Sequence, residues 1–191
     1  MVDPARSELI LGGQRSGKSR RAEWLARAWL AAAPGRRAVM VATGQAWDDE
    51  MRERIARHQA DRALRVPGMV TVEEPLALAD AVRQQSEQNT LIVVDCLTLW
   101  LTNLMMPVDP ARAQGETAVM EAGEDLCWAI VDAPGPVVLV GNEIGLGVIP
   151  MGREVRAFVD ALGRLNQQVA AACERVTLMA AGLPLTLKDR T

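Results

Sequence analysis

Short apolar runs alternate with longer segments of helical periodicity along this chain of 191 residues. The apolar runs predict strands at residues 9–11, 38–42, 90–94, 137–140 and 176–180. The intervening segments 19–32, 48–62, 76–87, 114–131 and 153–172 predict helices, and residues 104–110 predict a loop. Such alternation is typical of an α/β fold with a mostly parallel sheet flanked by helices.

The runs 38–42 and 91–94 are continuously apolar rather than alternating. Strands of this kind are buried on both faces of a parallel sheet. Neither an internal repeat nor a composition shift divides the chain, so we expect residues 1–191 to form one catalytic domain.

The most specific motif follows the first predicted strand. Residues 12–19 read Gly-Gly-Gln-Arg-Ser-Gly-Lys-Ser. They match G-x-x-x-x-G-K-[ST], a phosphate-binding loop that lies between a strand and a helix, and we call them the P-loop. Its amides and the helix N-terminus attract a polyphosphate. Lys18 would contact the β- and γ-phosphates, and the Ser19 hydroxyl would bind Mg²⁺.

The composition limits the classes of partner that the protein is expected to bind. A net charge of −3 gives no general attraction for nucleic acid or anionic membranes. Three cysteines without a C-x-x-C pair argue against a disulfide framework or a cysteine metal site, and the first residues lack a signal-peptide pattern. We therefore expect a cytoplasmic protein without a membrane span.

Two further strand ends carry polar residues. Asp95 follows an apolar strand, as the metal-associated acid of P-loop enzymes does, although an aspartate there also caps helices. Residues 140–147 place Asn142 and Glu143 among three glycines after another strand. That position suits either a structural turn or a substrate contact. Asp95 and Glu143 are both candidates for a kinase base.

His58 is the only histidine. It follows Met51 and Ile55 at helical spacing, and that periodicity favours a partly buried histidine packed on the core. The alternative is a nucleophile near the nucleotide phosphates. Spacing alone does not separate these two interpretations.

Several motifs together resemble one enzyme family over nearly the whole chain. They include the P-loop, Arg54-Ile55-Ala56-Arg57-His58, Asp95-Cys96-Leu97-Thr98 and the run from Asn142 to Pro150. In this order they closely resemble the bifunctional adenosylcobinamide kinase/adenosylcobinamide-phosphate guanylyltransferase of cobalamin biosynthesis.

The resemblance implies a RecA-like P-loop fold and a homotrimer. It implies phosphorylation of adenosylcobinamide with ATP or GTP, then transfer of GMP from GTP to adenosylcobinamide phosphate through a guanylyl-histidine, which by motif match forms on His58. Lys18 would be the second catalytic residue, with Mg²⁺ on Ser19 and Asp95. The nucleotide contacts implied are Gly12, Gly13, Gln14, Arg15, Ser16, Gly17, Lys18, Ser19, Thr43, Gly44, Gln45, Gln59, Ala60, Asp61, Arg62, Glu73 and Asp95.

Two rival functions stay open at this point. The first is a P-loop kinase of another small metabolite with a merely packed His58, which would phosphorylate another substrate without guanylylation. The second is a nucleotide-dependent interaction module, which would bind nucleotide without turnover on a cobinamide.

Overall fold

The computed structural model describes residues 4–190, apart from the side chain of Arg54. The predicted domain covers residues 1–191, so its first three residues and Thr191 lie outside the described part of the chain.

The described residues form a seven-stranded sheet with the order β3-β2-β4-β5-β1-β6-β7. Every neighbouring pair is parallel except β6 and β7, which are antiparallel. The mostly parallel sheet predicted from the sequence is therefore confirmed. The strands are β1 (Ser7–Gly12), β2 (Arg37–Ala42), β3 (Val70–Glu73), β4 (Thr90–Asp95), β5 (Val137–Val140), β6 (Arg175–Ala180) and β7 (Leu183–Asp189).

Helices cover both faces of the sheet. They are α1 (Lys18–Ala32), α2 (Asp49–Arg65), α3 (Leu78–Gln85), α4 (Leu97–Met105), α5 (Glu116–Asp132) and α6 (Arg153–Ala172), with a 3-10 turn at Pro110–Arg112. Helix α4 takes the first two residues of the predicted loop 104–110, because its apolar side chains pack into the core. Within residues 4–190, no helix combines the length and the apolarity needed to cross a bilayer.

Alternate residues of each central strand contribute to opposite faces. Leu9 and Ile92 belong to the core cluster beneath α3–α6, whereas Ile10 and Val93 belong to the cluster beneath α1. All four residues are fully buried. This two-sided burial explains why β4 is continuously apolar in the sequence, as predicted.

The parallel order brings the carboxyl ends of β1, β2, β4 and β5 to one edge of the sheet. The P-loop, Asp95 and the loop after β5 therefore lie along the same edge. Ligands of open α/β sheets bind at this edge, in the crevice outside the strand ends.

Strand β7 is an edge strand with two dissimilar faces. Leu183, Leu185 and Leu187 alternate along it and are all exposed. On the other face, the Lys188 ammonium donates to Ala170 O at 2.7 Å and so satisfies a carbonyl near the end of α6. The chain therefore presents a leucine row along one side of its last strand.

The three cysteines are free thiols. Cys96 and Cys173 are buried, and burial raises the pKa of each to about 12. Cys127 is half-buried, and burial raises its pKa as well. The negative charge of Asp95 raises the pKa of Cys96 further, and because the thiolate is the reactive form, Cys96 is a poor nucleophile at neutral pH.

We predict that a thiolate-specific disulfide reagent at pH 8 modifies at most Cys127 in the folded protein. All three thiols should react after denaturation in guanidinium, which removes the burial that raises each pKa. A C127S variant is the matched control and should leave no fast-reacting thiol in the native state. Rapid modification of native Cys96 or Cys173, located by mass spectrometry, would contradict this account.

Candidate active site

Gly12 ends β1 in a conformation that excludes a side chain. Its φ is 150°, and a Cβ there would lie 2.5 Å from Met179 O and 2.6 Å from Ser16 Oγ. Gly17, with φ 102°, occupies the left-handed region just before α1. Both positions require glycine, so the motif glycines create the sharp turn of the P-loop.

Two neighbouring segments hold the P-loop by backbone hydrogen bonds. Gly182 N, in the β6–β7 turn, donates to Ser16 O at 3.0 Å. Glu143 N, after β5, donates to Gly12 O at 3.1 Å. The contribution of Gly182 was not predicted, because the turn residues Ala181 and Gly182, both with positive φ, lack the Asn-Gly or Asp-Gly sequence that marks a hairpin.

The P-loop carries groups suited to phosphate. The Lys18 ammonium donates to Gly13 O at 2.6 Å. Burial lowers the pKa of Lys18, while Cys96 and Asp95 act in the opposite direction. The hydroxyl of Ser16 is buried and has no hydrogen-bond partner among the described residues. A bound phosphate would supply acceptors to both side chains.

Asp95 faces the P-loop from the end of β4. It is half-buried, and its charge acts on the Lys18 ammonium. Ser19, also half-buried, lies in the first turn of α1. Groups of three or more metal-ligating side chains are absent from the described residues. A hydroxyl and a carboxylate nevertheless suit Mg²⁺, which takes few protein ligands when phosphates supply the others.

Thr43 joins the ends of β2 and β4. Its hydroxyl donates to Cys96 O at 2.7 Å and accepts from Cys96 N at 2.9 Å. The side chain is fully buried, and Asn103 Nδ2 donates to Thr43 O at 2.7 Å. The predicted nucleotide contact Thr43 therefore has its hydroxyl engaged within the protein.

The middle of α2 lies against the carboxyl ends of β2 and β3. The Ile55 Cδ1 atom lies 3.8 Å from where a Cβ on Gly44 would be. Gln59 Nε2 donates to Glu73 Oε1 at 3.3 Å. One turn later, Arg62 Nη1 donates to Thr71 Oγ1 at 3.1 Å. These contacts bring the predicted residues Gly44, Gln59, Arg62 and Glu73 together.

His58 is exposed on α2, between those contacts. Its interpretation as a partly buried core histidine is therefore wrong, although Met51 and Ile55 on the same face are half-buried. In the sheet, β2 lies three inter-strand spacings from β1, a distance of about 14 Å. The structure thus leaves His58 accessible but lateral to the P-loop.

The other predicted contacts occupy the same region or the P-loop surface. Gln45 Oε1 accepts from Trp47 Nε1 at 2.7 Å, and Asp61 forms an ion pair with Arg65. Three further predicted residues are exposed to solvent: Gly13, Gln14 and Arg15. Ala60 is exposed on α2.

Backbone contacts anchor the loop after β5. Asn142 N donates to Thr98 Oγ1 at 2.9 Å, and Asn166 Nδ2 donates to Asn142 O at 3.1 Å. The Glu143 carboxylate accepts from Gly145 N at 2.8 Å. Glu143 is half-buried beside the P-loop, so the loop has both a structural anchor and a carboxylate near the phosphate site.

A solved structure shares this architecture. The flagellar accessory protein FlaH from Methanocaldococcus jannaschii is similar with a TM-score of 0.53, covering 97% of this chain and 80% of that one. The sequences are 12% identical, so the likeness concerns the fold alone. It confirms the predicted P-loop NTPase fold.

Sequence comparison reaches further. The bifunctional adenosylcobalamin biosynthesis protein CobP of Pseudomonas aeruginosa is 49% identical over 181 residues, covering 95% of this chain and 96% of the relative. The corresponding CobU protein of Escherichia coli is 35% identical over 187 residues, covering 94% and 98%. Residues 8–187 match the family described as cobinamide kinase / cobinamide phosphate guanyltransferase. On this match and these identities, the chain belongs to the cobinamide kinase / cobinamide phosphate guanyltransferase family.

Proposed function

We propose that this chain catalyses both reactions of its family in cobalamin biosynthesis. It phosphorylates the aminopropanol hydroxyl of adenosylcobinamide with ATP or GTP, and then transfers GMP from GTP to yield adenosylcobinamide-GDP. One observation carries the proposal: a P-loop with a buried, unpartnered Ser16 hydroxyl opens on the same sheet edge as an exposed His58.

The P-loop would serve the kinase step by positioning and by charge. The Lys18 ammonium would give up its hydrogen bond to Gly13 O and donate to the β- and γ-phosphate oxygens instead. The negative charge of the bound phosphates would offset the cost of burying the ammonium. The acceptor hydroxyl attacks the γ-phosphorus while the bond to the bridging oxygen breaks and the diphosphate leaves. Donors already in place lower the barrier because they need little reorganisation.

Mg²⁺ would be held by Ser19 and Asp95. There it would neutralise the charge of the phosphates. The assignment is supported by the charge of Asp95, which raises the pKa of the Lys18 ammonium and so acts at the proposed phosphate site. With Asp95 so engaged, Glu143 is the better candidate for the kinase base.

His58 would carry the second reaction. A neutral ring nitrogen attacks the α-phosphorus of GTP, the bond to the β-phosphate breaks, and pyrophosphate leaves from the P-loop. The phosphate of adenosylcobinamide phosphate then attacks the same phosphorus and releases His58. Since α2 lies against the ends of β2 and β3, and β2 lies about 14 Å across the sheet from β1, α2 must approach the P-loop for this step.

The other predicted nucleotide contacts lie on α2 or at the carboxyl ends of the neighbouring strands β2 and β3. Gln59 lies on α2, Gly44 and Glu73 lie beside that helix, and Thr43 would contribute through its backbone because its hydroxyl is engaged. Gln45, Ala60, Asp61 and Arg62 complete the set. We assign them to the base and sugar of GTP when α2 is close.

Assembly and location are also proposals. The leucine row of β7 supports a homotrimer, because exposed apolar rows of this kind are commonly buried between subunits. The acidic balance supports a protein without a nucleic-acid partner, and the free thiols support a cytoplasmic location.

We predict that α-labelled GTP leaves acid-labile, alkali-stable GMP on the protein, and that H58A abolishes this label while retaining most kinase activity. K18A should damage both reactions, because both use the same phosphate site. The matched control is R57A, which removes an exposed neighbour on α2 and should retain the label. Persistent label in H58A would refute the nucleophile. Phosphorylation of a different metabolite without any label would instead favour the rival kinase.

We predict that E143Q lowers kcat of the kinase step by about 10²- to 10⁴-fold, the usual contribution of a general base. The KM for adenosylcobinamide should change little, and guanylylation of His58 should persist. E154Q, an exposed glutamate in the first turn of α6, is the control. Full kinase activity of E143Q would contradict Glu143 as the base and leave Asp95 as the candidate.

A further inference from the structure

The loop after β5 exposes an unbroken apolar stretch. The nine residues 144–152 read Ile-Gly-Leu-Gly-Val-Ile-Pro-Met-Gly and contain no polar side chain. Val148 is 96% exposed, Met151 95% and Leu146 83%. Exposed apolar surface of this kind marks an interaction site, because water solvates it poorly.

The stretch is anchored at both ends. At its start, Gly141 N donates to Ile10 O at 2.9 Å and Glu143 N to Gly12 O at 3.1 Å. At its end, Arg156 Nη1 donates to Pro150 O at 3.0 Å and also contacts Met151 O. The exposed side chains are therefore presented by a segment tied to the P-loop and to α6.

A cleft of about 440 Å³ lies between this loop and α6. Its volume falls within the range of small-molecule sites, about 300–1,000 Å³. Its two walls differ in chemistry. The loop contributes apolar side chains, among them Ile144, Val148 and Ile149, whereas α6 contributes mostly polar ones, with Val159 as its one apolar side chain in the lining.

We propose that this acceptor cleft, formed by the loop 144–151 and the adjoining face of α6, binds the corrin ring of the cobinamide substrate. The proposal rests on the proposed function. A corrin ring has methyl-bearing apolar faces and a rim of neutral carboxamides. Its face would cover the loop, and its amides would exchange hydrogen bonds with Asp160 and Gln167.

Position and charge favour the acceptor over a second nucleotide. The bond from Glu143 N to Gly12 O places the start of this loop directly beside the P-loop, where the transferable phosphate would be held. The loop carries no cation for a phosphate. Of the two arginines that line the cleft, Arg156 holds Pro150 O, and Arg164 pairs with Glu116 at 2.7 Å. The cleft therefore suits a ligand without phosphate groups in this region, with apolar faces, that must present a hydroxyl to the γ-phosphate.

The test is a double variant, V148T/I149T, which keeps β-branching at both positions, shortens only the side chain at 149 and makes two cleft residues more polar. Both side chains are highly exposed, so folding should be unaffected. The matched control is V108T/V131T, which alters two exposed valines outside the cleft. The measurements are the KM for adenosylcobinamide and for ATP in the kinase step, guanylylation by labelled GTP, and molar mass by light scattering.

We expect V148T/I149T to raise the KM for adenosylcobinamide at least about tenfold, equivalent to about 1.4 kcal/mol. The KM for ATP, the guanylyl label and the molar mass should match wild type, and V108T/V131T should match wild type throughout. An unchanged acceptor KM would overturn the cleft assignment. An altered molar mass would overturn it too, showing that a second copy covers the loop. Failure of the wild type to phosphorylate adenosylcobinamide would overturn the proposed function itself.

Discussion

The absence of a side chain at Gly12 is the constraint on which the site depends. A Cβ there would collide with the backbone oxygen of Met179 and with the Ser16 hydroxyl. Because nothing fills that space, β1 turns sharply between β6 and the loop after β5. Gly12 O then accepts from Glu143 N. The P-loop and the loop after β5, which lines the proposed acceptor cleft, are thereby tied together at one backbone carbonyl.

Backbone groups carry most of the support at this edge, which leaves reactive side chains available. Ser16 O accepts from Gly182 N, and Asn142 O accepts from Asn166. Side chains also take part: Thr98 Oγ1 accepts from Asn142 N, and the Thr43 hydroxyl is engaged in joining β2 to β4. Asp95, on the strand that Thr43 secures, can therefore face Lys18 from a rigid position. Rigid placement of this kind is what electrostatic preorganisation requires.

Much of this arrangement could be predicted from the sequence, for a physical reason. Strands buried on both faces are continuously apolar, and the P-loop needs glycine at fixed positions, so local patterns report them directly. Strands β3 and β7 were missed because they are exposed edge strands. Their side chains face solvent as well as the core, so their sequences mix polar and apolar residues and lack a continuous apolar run. Helix α4 was missed because its burial makes it apolar on more than one side, which weakens helical periodicity.

The exposure of His58 could not be predicted from the sequence. Hydrophobic periodicity indicates which face of a helix is apolar, but it does not show at which residue the helix stops contacting the sheet. Met51 and Ile55 are half-buried, yet His58 at the next step is exposed. Residues with polar side chains make the contacts that follow, at Gln59 and Arg62.

The same polar attachment explains how α2 would reach the P-loop. Among the α2 residues whose side chains the structure describes, Arg62 alone is buried, and its partner is the hydroxyl of Thr71. Segments with few buried apolar contacts open at low free-energy cost. Little hydrophobic burial would then oppose the approach of His58. The core beneath α3–α6 would be undisturbed, because α2 lies on the opposite face of the sheet with α1. One phosphate site would then serve two reactions through the movement of a single, weakly packed helix.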